Sequence, residues 1–184
     1  VVKNKNFEFI KDNIIYPCIC KPVDNSASRG VVIANDNSEL CSGIKYSYEN
    51  SRCGTVIVEE LLVGREISVE VFAVNGSFHV IQITDKITTG APHFVEMGHN
   101  QPSEVIATMY QEIYDITAKA MLAVGIQNGP AHVEMMLTKS GPKLIEIGAR
   151  LGGDFITTDL VPLSTGIDIL AATIRLACGD KVDI

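Results

Sequence analysis

The stretch that decides the fold is HVEMMLTKSGPKLIEIGAR, residues 132–150. Two apolar runs flank a turn, and each run carries one glutamate, Glu134 and Glu146. Ala131 to Thr138 alternates and is rich in Val, Met and Leu; Lys143 to Gly148 does the same with Leu and Ile. Lys-Ser-Gly-Pro between them is turn chemistry, so the pattern predicts a β-hairpin. With its centre near Ser140, Glu134 and Glu146 face each other. Directly opposed residues bring their Cβ atoms to about 4.5–5.5 Å, and like charges there repel. Two such carboxylates in a low-dielectric setting do not both stay ionised without compensation. One is protonated, or a cation bridges them; a hard divalent ion with oxygen ligands is the common solution. The plain alternative is a different register, with both glutamates on a solvated face.

The chain around this hairpin has 184 residues, enough for one domain with a core or for two small lobes. Hydrophobic residues make up 46% and mean hydropathy is +0.21, which places it among globular chains. No run approaches the roughly 18 apolar residues of a membrane span. No charged-then-apolar leader is visible. The five cysteines, Cys18, Cys20, Cys41, Cys53 and Cys178, form no C-x-x-C pair, which argues against a zinc site or a disulfide framework. A reducing cytoplasm fits that usage. The net charge of −7 disfavours nucleic acid as a partner, but not a nucleotide, which needs only a local basic pocket. The start at Val-Val-Lys-Asn-Lys suggests a domain cut from a longer protein.

Upstream, the spacing predicts a short helix over Asn6–Asn13 and a buried strand from Ile15 to Lys21. A loop over Pro22–Gly30, a strand over Val31–Ala34, a helix from Asp36 to about Ser51 and a strand over Thr55–Glu60 follow. Glu66 to Val74 alternates: Ile67, Val69, Val71 and Ala73 share one face, and Glu66, Ser68, Glu70 and Phe72 the other. Asn75-Gly76 signals a type I′ turn into a return strand over Ser77–Thr84. Asp85 to Pro102 reads as a long loop. Ser103 caps a helix to about Val124, with Ile106, Met109, Ile113, Ile116, Ala120 and Val124 at helical spacing. Residues 154–178 read as mostly helical, with Gly179 as the stop. The expected organisation is a small lobe over 1–61 and a larger lobe over 62–184.

Four further stretches carry chemistry. In YPCICKPVDNSASRGV, an apolar strand delivers Lys21, and Ser26, Ser28, Arg29 and Gly30 follow in a loop whose backbone N–H groups can bind an anion. An ordinary surface turn is the plain alternative. In VIVEELLVGREISVEV, a strand ends at Glu59-Glu60, and Glu66 opens the next. A connection of this kind can offer backbone groups to a purine and a carboxylate to ribose hydroxyls, although a solvated loop has the same composition. Arg150, in Gly148-Ala-Arg150-Leu-Gly152-Gly153-Asp154, can orient a phosphoryl group or simply form a salt bridge to Glu146 or Asp154. Long loops are commonly functional, and His93, His99, Glu96 and Lys86 stand in this one. His79 alternates with apolar neighbours and reads as structural; His132 shares a strand face with Glu134.

In this order and spacing the stretches resemble the ATP-grasp superfamily of carboxylate–amine ligases, over Tyr16 to Asp180. The resemblance implies an α+β ATP-grasp fold, a small lid lobe and a larger antiparallel-sheet lobe gripping ATP. It puts Lys21 on the phosphates, the Ser26–Val31 segment in the flexible glycine/serine loop and Glu59, Glu60 and Leu62 at the adenine hinge. It puts Glu66 on ribose and Glu134 with Glu146 on Mg²⁺, with Mn²⁺ as an alternative. Lys21 and Arg150 take catalytic roles beside the transferred phosphate. His99, Glu96, Arg150, Gly152 and Gly153 are implied at the substrate.

Two departures stand out. Gly148 occupies the place of a frequent asparagine metal ligand, and the usual N-terminal α/β domain and a further upstream lysine are not seen. The strings Glu146–Asp154 and Gly98–Ser103 look most like the L-amino-acid ligase branch. The implied reaction joins a carboxylate, an amino acid in that branch, to an amine through an acylphosphate, releasing ADP and phosphate. Small-molecule substrates, no nucleic acid and no membrane are the expected partners, and a homodimer is compatible with the reading. Bicarbonate activation, as in carboxylases or carbamoyl-phosphate synthases, is the rival within the superfamily, although Leu151-Gly-Gly-Asp154 replaces the Gln-Val-Glu-His of biotin carboxylase. A non-catalytic ATP-binding module is the rival of another class.

Overall fold

A computed structural model describes residues 1–3, 14–91 and 94–184. The expected Asn6–Asn13 helix and His93 lie outside the described residues. The chain divides into two compact units: residues 1–62 with 88–97, and residues 63–87 with 98–184.

The first unit holds a three-stranded antiparallel sheet in the order β2-β1-β3, from β1 (Cys18–Pro22), β2 (Val32–Ala34) and β3 (Val56–Glu60). Helix α1 (Asn37–Glu49) starts where Asp36 accepts hydrogen bonds from the backbone N–H of Ser38 and Glu39, which satisfies two of the helix's orphan donors. Leu40 and Ile44 of α1 bury against Cys18, Cys20, Ala34 and Val56. All five cysteines are free thiols, and burial pushes the Cys20 thiol up to about 12.

A five-stranded antiparallel sheet, most of it in the second unit, runs in the order β6-β5-β4-β7-β8. Its strands are β4 (Arg65–Val74), β5 (Ser77–Thr88), β6 (Glu96–Asn100), β7 (Gly129–Thr138) and β8 (Gly141–Gly148). Asn75 and Gly76 have φ of 50° and 80°, as the type I′ turn requires. One face of the sheet carries Ile67, Val69, Val71, Ala73, Ile83, Ala131, Val133 and Met135; Ile113 and Met121 of α2 (Ile106–Val124) join them in one core. The expected two-faced pattern of β4 therefore holds. The opposite face is polar. Register places Thr84, Ser68, Glu134 and Glu146 in one row across β5, β4, β7 and β8, and Gln82, Glu70, His132 and Gly148 in the next. One end of this face is apolar. A bulge opposite Glu70/Val71 adds Ile81, which clusters with Phe72 and with Ile156, Val161, Ile169 and Ala172 of the C-terminal helices.

Several sequence expectations need correction. Strand β1 begins at Cys18, and Ile15 is exposed. Two or three apolar residues ahead of a strand do not show where pairing starts. Asp85–Pro102 is not a loop. Strand β5 runs to Thr88 and β6 pairs with it, so Asp85 and Lys86 sit in a strand. Ser103 is not the helix cap, because α2 begins at Ile106. Its hydroxyl instead donates to buried Asp85, which also takes Arg65 Nη2 at 2.5 Å and the Glu104 backbone N–H at 3.1 Å. Val124 is exposed, not core. The C-terminal helix is broken into a π-helical turn (Ile156–Leu160), α3 (Val161–Thr165) and α4 (Ile169–Ala177), with Gly166 left-handed at φ 76° ending α3. Among the described residues no single helix is long and apolar enough to cross a membrane.

Candidate functional site

Glu134 and Glu146 are direct cross-strand partners, as the hairpin predicts, but the reason differs. Near the turn the pairs are Thr138 with Gly141, Leu137 with Pro142 and Met135 with Leu144. That register centres one half-residue earlier than expected. A bulge beside Glu134/Met135 leaves Ile145 as an extra residue and returns the pairing to Glu134 with Glu146 and His132 with Gly148. Bulges of this kind re-aim side chains. Pro142 is tolerated because β8 is an edge strand.

The like-charge problem has an answer that the hairpin alone could not show. Lys86 Nζ donates to Glu134 Oε2 at 2.9 Å and lies 3.7 Å from Glu66 Oε2, with only 4% of its side chain exposed. His132 reaches Glu134 Oε1 with Nε2 at 3.4 Å and Glu70 Oε1 with Nδ1 at 2.6 Å. Burial opposes ionisation of Glu134, but His132 and Lys86 outweigh it and hold the carboxyl down at about 2. Burial likewise opposes charging His132, yet the hydrogen bonds to Glu134 and Glu70 raise it to about 9. Glu134 is thus an ionised carboxylate at neutral pH. Glu146, opposite it, is exposed. An ionised, partly buried oxygen donor facing a solvent-exposed carboxylate suits a hard divalent cation, so the residues present fit Mg²⁺.

Arg150 lies beyond the end of β8. Its backbone N–H bonds to Gly148 O at 2.8 Å and its Nη1 to Leu151 O at 3.0 Å. A Cβ at Gly148 would stand 3.2–3.3 Å from Arg150 Cγ and Nε. The space where the family pattern carries an asparagine side chain is thus lined by the arginine stem. Gly152 packs on Glu70: a Cβ there would sit 2.9 Å from both carboxylate oxygens. Around Gly153 the space is open. Asp154 and Phe155 both adopt positive φ, 49° and 61°, and His99 Nε2 comes within 4.0 Å of Asp154 Oδ2. Glu96 is exposed on β6.

In the first unit Lys21 Nζ pairs with Glu59 Oε2 at 2.7 Å. The loop after β1 turns through left-handed Ala27, Ser28 and Gly30. Arg29 folds back on it, donating to the Ser26 carbonyl and Ser26 Oγ, each at 3.2 Å, and Ser28 Oγ donates to Phe94 O at 3.3 Å. Its base is tied down by Asp24. That carboxylate takes the Cys53 N–H at 2.6 Å, the Arg52 N–H at 3.2 Å and Ser51 Oγ at 2.8 Å. These bonds lower its pKa against an opposing burial contribution. Glu60 ends β3, Leu62 follows it half-buried, and Glu66 is held near Lys86.

The Glu70–His132 and Lys86–Glu134 pairs do not follow from residue spacing alone, although part of their signal is in the sequence. Gln82, Thr84 and Lys86 alternate on one strand face, and His132 stands two residues before Glu134 on the same face.

The model of the ATP-grasp domain matches residues 14–159. The chain belongs to the ATP-grasp domain family. This ATP-grasp chain is 29% identical over 174 residues to the uncharacterized protein y4rH of Sinorhizobium fredii, covering 91% of this chain and 35% of that protein. It is 28% identical to carnosine synthase 1 of Homo sapiens over 124 residues, 67% of this chain and 15% of that one. The crystal structure of L-amino acid ligase from Bacillus licheniformis superposes with a TM-score of 0.72 at 30% identity, over 89% of this chain and 39% of that one. The chain thus spans about a third or less of the curated relatives named here. The α+β ATP-grasp fold expected from the motifs is the fold observed.

Proposed function

We propose that this chain is the ATP-binding core of a carboxylate–amine ligase acting on an amino-acid carboxylate. The observation that carries the reading is the direct opposition of ionised Glu134 and exposed Glu146 in an ATP-grasp sheet. Likeness to L-amino acid ligase at 30% identity supports the substrate class.

Each residue then has a task. Glu134 and Glu146 would hold Mg²⁺, which when bound neutralises charge on ATP phosphates. Lys21 supplies a point charge to a phosphate, and Arg150 a planar fork suited to a phosphoryl or acylphosphate group. The Ser26–Gly30 loop offers backbone N–H groups to the phosphates and excludes water when it closes. Glu59, Glu60 and the backbone of Leu62 meet adenine, and Glu66 meets ribose. His99, Glu96, Gly152 and Gly153 border the carboxylate and amine. The carboxylate oxygen attacks the γ-phosphorus of ATP and ADP leaves. The amine nitrogen then displaces phosphate from the acyl carbon and loses a proton. No protein nucleophile is required; positioning and charge stabilisation carry the rate.

Calorimetric titration of Mg²⁺–ATP into the wild type and Glu146→Gln tests this first, followed by ADP release with pairs of amino acids. Expected are Mg²⁺-dependent binding, its loss in the variant and amino-acid-dependent ADP formation. Bicarbonate-dependent ADP release without any amino acid favours the carboxylase-like rival. Tight binding with no turnover favours a non-catalytic module.

A further inference from the structure

Glu70 is a buried ionisable group that the proposed chemistry leaves without a task. It sits in the middle of β4 at 1% exposure. Burying a carboxylate is costly unless it is paired and fully hydrogen-bonded. Its partner, His132, is 6% exposed and reaches in two directions, 2.6 Å to Glu70 Oε1 and 3.4 Å to Glu134 Oε1. The other Glu134 oxygen is taken by Lys86 at 2.9 Å. Both oxygens of the carboxylate are therefore pinned from within the sheet, one by a ring and one by an ammonium. A free glutamate has three side-chain torsions to fix; this one has its plane set before any ligand arrives.

We propose that Glu70 and His132 are positioning residues for Glu134: Glu70 fixes the His132 ring, and the ring orients the carboxylate toward the cation. This rests on the metal reading given above for Glu134 and Glu146. Gly152 belongs to the same device. It lies against both Glu70 oxygens so closely that a Cβ would stand 2.9 Å from each. Thr157 Oγ1 holds the Gly152 carbonyl at 2.8 Å, so the glycine backs onto the carboxylate from a tethered turn. The segment carrying Arg150 is thus braced by the group that orients Glu134. Partners that orient a metal ligand commonly change metal affinity by about 10- to 100-fold when removed. A merely structural Glu–His pair would change stability and leave metal affinity alone.

The test is calorimetric titration of the 184-residue chain with ATP alone and with Mg²⁺–ATP, each folded variant being verified by circular dichroism. His132→Ala is expected to weaken the Mg²⁺-dependent part of binding by about 10- to 100-fold and to leave metal-free ATP affinity unchanged. His132→Gln, whose amide can still donate to one carboxylate, recovers part of the loss. Gly152→Ala displaces Glu70 without removing any polar group, and gives a loss in the same direction. Ile83→Val, a core truncation in the same unit, lowers the melting temperature but leaves the metal dependence as in wild type. Wild-type metal binding with His132→Ala within twofold overturns the positioning role and leaves the metal site standing. A loss shared equally by Ile83→Val overturns it as well. A wild type that binds ATP with no metal dependence overturns the metal assignment, and the relay with it. Should His132→Ala fail to fold, His132→Gln and Gly152→Ala decide by the same comparison.

Discussion

Glu134 and Glu146 stand directly opposite each other on β7 and β8, yet among the described residues only Glu134 is held by side-chain partners within the sheet. Lys86 and His132 share its charge, while Glu146 faces solvent. The two carboxylates are therefore unequal: one preset, one open.

That inequality separates two isosteric substitutions. Glu146→Gln removes an exposed charge, and surface changes of that kind fall within about 0.5 kcal/mol in stability. Glu134→Gln leaves the Lys86 ammonium, 4% exposed, without its nearest carboxylate. Glutamine keeps an acceptor oxygen but not the charge, and weakening a buried charge-assisted hydrogen bond in this way costs about 1–3 kcal/mol. Both variants should lose Mg²⁺-dependent ATP binding. Urea denaturation beside calorimetry checks the pair; equal stability of the two variants would contradict the asymmetry.

Much of this site was legible in the residues, and the limits have physical causes. The Glu134/Glu146 pairing follows from two periodic runs around a turn. The bulge at Ile145 does not, because one extra residue in an alternating strand leaves no compositional mark. The half-residue error in the turn centre and the bulge compensate each other at the glutamates. Gly, Pro and His downstream of Lys86 read as irregular, so composition alone puts it in a loop. The ladder between β5 and β6 is a tertiary fact. Alternation alone puts Glu70 on the polar face of β4, but its pairing with His132 depends on the β4–β7 register, which joins residues 62 positions apart. The breaking of the C-terminal helix at Gly166 shows the reverse case, a glycine whose left-handed φ overrode an otherwise helical pattern.

The His132–Glu134 pair makes stability depend on pH in a definite direction. His132 is raised from 6.5 to about 9, so its contribution is fully present below 6.5 and is lost as pH climbs through 9. Glu134 is lowered from 4.5 to about 2, so its contribution is present above 4.5 and is lost as pH falls through 2. Together they give a plateau between 4.5 and 6.5. Melting temperatures across pH 5 to 9.5 should fall more steeply for wild type than for His132→Gln. Parallel curves would show that the ring carries no proton-linked stability.

Gly30 closes the loop after β1 in a conformation that other residues resist. Its φ is +81°, and a Cβ would come within 2.7 Å of Asn50 Cβ. Its carbonyl accepts Ser47 Oγ at 2.7 Å in a buried bond. Gly30→Ala pays about 1–2 kcal/mol for the left-handed backbone and an added penalty for the collision. Chemical denaturation should show a loss of at least about that size, with ATP affinity falling as the Ser26–Gly30 amides are displaced. An unchanged midpoint would mean that the loop is not shaped as described.

Lys21 gives the sharpest separation of structure from function in the first unit. Its ion pair with Glu59 is 2.7 Å long, but the two side chains are 19% and 38% exposed. Pairs this accessible contribute about 0–1 kcal/mol. Lys21→Met keeps the apolar stem and removes the charge. Its midpoint in urea should stay within about 1 kcal/mol of wild type. If Lys21 places a phosphate, ATP affinity should drop at least about tenfold, the size of one lost charge-assisted hydrogen bond. AMP, which lacks the distal phosphates, should bind both proteins alike. A variant that loses stability and keeps its ATP affinity would assign Lys21 a structural role.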